Sequence, residues 1–148
     1  MTPKMVIRQQ AVEACIERFS GKPMAWGKVD CARIVSHNLR RLGIATSLLK
    51  GASYSSEHSA LKTLRSLGAG GLGDAMDMIG DKVFRVPPAA VVQGDVIGMA
   101  CEGDVWDMAL TVAVGNGRVL GILNGVAAVM QPDLTHAVAA WRCNPCRR

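Results

Sequence analysis

Trp26-Gly27-Lys28-Val29-Asp30-Cys31 decides how this chain is read. The backbone turns through Trp26-Gly27, and Asp30 is a good N-cap because its carboxylate can accept the free amides of a first helical turn. Cys31-Ala32-Arg33-Ile34-Val35-Ser36-His37-Asn38-Leu39-Arg40-Arg41-Leu42 then continues as a helix, with Cys31, Ile34, Val35, Leu39 and Leu42 on its buried stripe. Gly43 stops it. A thiol one residue inside a helix N-terminus meets the positive end of the dipole, which lowers its pKa from about 8.5 toward neutrality and makes it a candidate nucleophile. A small buried hydrophobe in an apolar helix has the same local sequence, so the hexapeptide alone leaves both roles open.

Working outward, Ile7, Ala11, Val12, Ala14, Cys15, Ile16 and Phe19 recur at helical spacing and predict an amphipathic helix over 7–19, ended by Ser20-Gly21-Lys22-Pro23. On the other side, polar Gly51-Ala52-Ser53-Tyr54-Ser55-Ser56 leads into a helix over 57–67, and a short one follows over 72–79. After Pro87-Pro88 the texture changes to short Val-, Ile- and Ala-rich runs, which predict strands over 95–101, 108–114, 118–123, 125–130 and 138–142, with a helical turn near 133–137. Gly115-Asn116-Gly117 is a strong hairpin turn because its residues tolerate positive φ. Helices first and an antiparallel sheet second is an α+β chain.

The 148 residues, 49% of them hydrophobic, suit one domain over 1–148 with a single core. No apolar stretch is long enough to span a bilayer, and the first residues hold no run suited to a secretory signal, so the chain is expected to stay in the cytoplasm or leave it within an assembly. The net charge of +5 invites nucleic acid as a partner, yet the basic residues are scattered, with only Arg40-Arg41 and Arg147-Arg148 adjacent, and 4% aromatic residues make no stacking platform. An acidic protein partner is the simpler account. The five cysteines are odd in number and irregular in spacing, so reduced thiols are expected.

The segment Trp26 to Cys31 with its helix resembles the nucleophile region of NlpC/P60 cell-wall peptidases, a papain-like group. Gln93-Gly94-Asp95-Val96-Ile97 is similar to that family's Gly-Asp lead into the first strand, and Leu110 to Arg118 to its next strand and turn. Gly51-Ala52-Ser53-Tyr54, Ala60 to Arg65, Gly71-Leu72-Gly73-Asp74-Ala75 and Ala139-Ala140-Trp141-Arg142 resemble small proteins encoded among the tail genes of tailed phages and prophages. The resemblance implies N-terminal helices packed on a C-terminal sheet, a virion tail-tip or baseplate location after synthesis in the host cytoplasm, and hub or other tail-tip proteins as partners. Peptidoglycan is a further partner it allows.

Hydrolysis by such a thiol needs an imidazole as base and a third group to orient it. The likeness places Ala109 at the histidine position and Gly121 at the orienting one, and neither can move a proton. His37 lies six residues beyond Cys31, roughly 9 Å along the axis and on another side of the helix. His58 opens an exposed helix, and His136 precedes the last strand, where a cleft edge is within reach. Asp107 can take a proton only if burial raises its pKa. Cys31 is therefore expected to be a vestigial nucleophile in a structural subunit. The alternatives are an active cell-wall cysteine peptidase or amidase and a basic nucleic-acid-binding protein.

Cys143-Asn144-Pro145-Cys146 has the spacing to share a metal or close a redox disulfide, but a zinc site needs four ligands, and no metal or cofactor is expected. Met76, Met78, Met99, Met108 and Met130 read as core filler, and Trp106 and Trp141 as sheet packing. Gly68 to Gly73 lacks the Lys-Ser/Thr of a phosphate loop.

Overall fold

The computed structural model describes residues 2–46 and 52–146; Gly51 of the polar stretch and the Arg147-Arg148 pair lie outside them. Four helices come first: α1 (Lys4–Phe19), α2 (Cys31–Arg41), α3 (Glu57–Ser66) and α4 (Leu72–Asp77). Six strands follow, β1 (Val83–Arg85), β2 (Val96–Met99), β3 (Ala109–Gly115), β4 (Arg118–Leu123), β5 (Val126–Met130) and β6 (Ala137–Cys143). They form one antiparallel sheet in the order β1-β6-β2-β3-β4-β5. The α+β architecture is as expected. β1 lies before Pro87-Pro88, where no strand was expected, because three residues carry no alternation to read; pairing of Val83 with Cys143 makes it a strand. The predicted turn between β3 and β4 is present, with Asn116 at φ 56° and Gly117 at φ 71°.

Strand alternation divides the sheet's two faces. Val96, Leu110, Val112, Leu120 and Trp141 join α1 and α2 residues such as Val12, Cys15, Ile34 and Leu39 in the main core. Ile97, Val119 and Ala140 form a smaller cluster of their own. Met76 and Met108 are core residues, but Met78 is exposed: α4 ends at Asp77, before Met78 can turn inward.

The Gln93-Gly94-Asp95 lead into β2 joins helices to sheet. Asp95 is fully buried, with Oδ1 accepting from Arg8 of α1 at 3.0 Å and from the Cys143 amide at 3.0 Å. Its Oδ2 accepts from Arg142 Nε at 2.7 Å and the Val92 amide at 2.9 Å. Asn38 of α2 donates to the Gly94 carbonyl at 2.9 Å. Two arginines and two amides thus satisfy one buried carboxylate, which a lone buried charge requires.

Candidate functional site

Between the start of α2 and the start of β3 lies a cleft of about 190 Å³ whose wall is nearly all apolar, including Trp26, Cys31, Leu64, Trp106, Met108 and Ala109. The turn before α2 is built for this position. Gly27 sits at φ 83°, and a Cβ there would run into the Tyr54 carbonyl, so only glycine fits. Asp30 caps α2 as expected, its Oδ1 accepting from the Arg33 amide at 2.8 Å. Its Oδ2 accepts from the Gly27 amide at 2.8 Å and from the Tyr54 hydroxyl at 2.9 Å. Burial, then the Asp30 charge, push the Tyr54 pKa up, so the phenol stays a donor. Tyr54 is a site residue that its polar sequence neighbours did not reveal.

Cys31 is half-buried at the first residue of α2. Burial pushes its thiol up to about 11; the Leu110 backbone opposes the shift and the Asp30 charge adds to it. Desolvation is the largest influence on this thiol, and the resting group is S–H.

Ala109 lines the cleft with Cys31, where the resemblance places the base. Gly121 does not line it. Gly121 instead meets Thr111, whose Cγ2 would stand 2.8 Å from any Cβ added at 121, so a methyl fills the space where an orienting side chain would begin. None of the three histidines borders the cleft. His37 packs edge-on to Phe19 and accepts from Arg40 at 3.0 Å; burial, then Arg18, Arg40 and Arg41, push its pKa down to about 4. His58 is exposed on α3. His136, for which a cleft edge was one reading, is 68% exposed beside Asp133, in the solvent-facing turn before β6.

Asp107 does not line the cleft. Its two oxygens accept from the Leu72 and Gly73 amides at 2.9 and 3.0 Å, capping α4 from 34 and 35 residues away. Trp106 is also misread by sequence: it belongs to the β2–β3 connection and stacks on Trp26 with centroids 5.9 Å apart, whereas Trp141 is sheet core. Cys143 is buried and Cys146 exposed, its thiol donating to the Gly43 carbonyl, so the two sulfurs of the CxxC occupy different environments. Among the described residues no three metal-ligating side chains cluster, and no helix is long and apolar enough to cross a membrane.

The family described as Domain of unknown function (DUF6950) matches residues 4–143. No curated protein matches. Among solved structures, the P60 domain of M. avium subspecies paratuberculosis antigen MAP1204 aligns with TM-score 0.58 at 16% identity over 95% of this chain and 98% of that one. The P60 domain of antigen MAP1272c from the same organism gives 0.55 at 16% over 93% and 96%. The peptidoglycan hydrolase RipB of Mycobacterium tuberculosis gives 0.58 at 20% over 95% and 67%. At these identities the likeness establishes the fold, which is that of NlpC/P60 domains.

Proposed function

This chain belongs to the DUF6950 family, and on that premise we propose that it works by binding rather than by hydrolysis, as a structural subunit of a tailed-phage tail tip or baseplate with a vestigial Cys31. The observation that carries the loss of hydrolysis is Ala109 in the cleft beside that thiol. A methyl group cannot accept the thiol proton or return one to a leaving amine. Burial pushes the Cys31 pKa up to about 11, which keeps the thiol protonated at neutral pH. The tail location is supported by the sequence resemblance to proteins encoded among tail genes. Exposed apolar residues such as Met5, Leu134 and Val138 suit a subunit whose surface meets neighbours.

A second reading is a cell-wall cysteine peptidase or amidase. The solved structures favour it over the tail location, because RipB, which shares this fold, is described as a peptidoglycan hydrolase, and α2 here opens on a cysteine behind a capping aspartate. Under it peptidoglycan is the substrate and the base comes from outside the cleft. Incubating the purified protein with peptidoglycan stem peptides separates the two. The binding reading expects no Cys31-dependent amine release, and particles carrying Cys31→Ser that assemble and infect normally. Enzyme-like turnover abolished by Cys31→Ser would overturn it.

A further inference from the structure

The β2–β3 connection, Ala100 to Asp107, belongs to no helix or strand and contributes Cys101, Glu102 and Trp106 to the cleft wall. Both its ends are fixed. The Ala100 amide donates to the His136 carbonyl at 2.8 Å, and the Asp107 carboxylate is held by the Leu72 and Gly73 amides. Between these posts, residues 101–105 are exposed, and Gly103 sits at φ 84° with open space where a Cβ would stand. Trp106 alone of the connection's large side chains turns inward: Val105 is 52% exposed, while the Trp106 indole stacks on Trp26 at an interplanar angle of 18°. Its Nε1 donates to Glu57 Oε2 of α3 at 3.1 Å.

We propose that residues 100–107 form a hinged flap over Cys31, with Trp106 as its latch on Trp26 and Glu57. Closed, the indole forms one wall of the apolar cleft and narrows the way to the sulfur. Open, the flap swings on its two fixed ends, Gly103 absorbing the backbone change, and the cleft widens to solvent. A segment held inward by one stack, one hydrogen bond to an exposed carboxylate and packing at the core's edge opens more readily than the core unfolds. This gate is the same whether the cleft binds or hydrolyses, so its test does not depend on the proposed function.

The test is alkylation of the whole protein by iodoacetamide, resolved cysteine by cysteine by mass spectrometry. Buried Cys15 and Cys143 report global unfolding, exposed Cys146 reports reagent quality, and exposed Cys101 lies on the flap itself. In the wild type Cys31 reacts more slowly than Cys101 and Cys146. Trp106→Ala is expected to accelerate Cys31 about tenfold, from loss of the aromatic stack, with Cys15 and Cys143 still protected. Glu57→Ala is expected to accelerate it about fivefold, from loss of one hydrogen bond. Trp106→Phe, which keeps a stacking ring, should fall between the wild type and Trp106→Ala. A Cys31 rate unchanged to within about twofold in Trp106→Ala, with the buried thiols protected, overturns the latch. If Trp106→Ala exposes Cys15 and Cys143 as well, Glu57→Ala decides, since it alters only an exposed first-turn residue; an unchanged Cys31 rate there overturns the proposal.

Discussion

Cys31 and Ala109 line one cleft, the thiol on the first residue of α2 and the methyl on the first residue of β3. Ala109→His puts an imidazole where the wild type has none. The expected result is a fall in the midpoint of the Cys31 alkylation rate against pH, below the value of about 11 set mainly by burial. At neutral pH the rate rises by about tenfold or more, a modest share of what a base contributes in an evolved site. An unchanged pH profile would mean that position 109 does not address the sulfur.

The third position resists restoration. Gly121→Ala drives its new methyl into Thr111 Cγ2, a β-branched side chain fixed further by its hydroxyl bond to the Ile97 carbonyl at 2.9 Å. The expected loss is about 1–3 kcal/mol, measured by urea denaturation. Thr111→Ser keeps the hydroxyl and removes the methyl, so the double variant should recover most of that loss. Additive losses in the double-mutant cycle would refute the steric account.

Asp95 is expected to be the most sensitive polar position in the fold. Asp95→Asn removes the charge that satisfies Arg8 and Arg142, leaving the nearly buried Arg8 guanidinium without its counter-ion. The cost should be about 3–5 kcal/mol in chemical denaturation, as for other broken buried pairs. A loss below about 1 kcal/mol, the worth of an exposed pair, would show that the network is dispensable.

Asp107→Ala should act locally. It frees the Leu72 and Gly73 amides, so their hydrogen exchange should speed up markedly, with a global loss of about 0.5–2 kcal/mol as for other lost caps. Unchanged exchange at those two amides would contradict the capping role.

His37 predicts a pH effect with a definite sign. Its pKa falls from 6.5 to about 4 on folding, because of burial and then Arg18, Arg40 and Arg41. The unfolded chain therefore binds the extra proton first. The native state keeps its full advantage above about pH 6.5 and loses it as pH falls toward 4. Urea midpoints of the wild type and His37→Gln should diverge in favour of the variant across that window. Parallel curves would show that the ring titrates normally in the fold.

Periodicity was enough to find α1 and α2, since each buries a helical stripe, and Gly115-Asn116-Gly117 fixed the register that places Ala109 at a strand start. β1 escaped because its pairing partner lies some sixty residues on, at Cys143. Trp106 was misread, and the capping role of Asp107 went unseen, for the same reason: their partners, Trp26 and the α4 amides, are distant in sequence.

The sequence by itself determined the order of helices and strands, the cap at Asp30, and the lack of a proton-moving side chain at 109 and 121, because propensity, capping and side-chain chemistry are local properties. Only the tertiary structure decided that Cys31 rests as a thiol, that Thr111 fills the space at Gly121, and that Trp106 stacks on Trp26 in the cleft wall. Those outcomes follow from desolvation and cross-element contact, which exist only once distant segments have packed together.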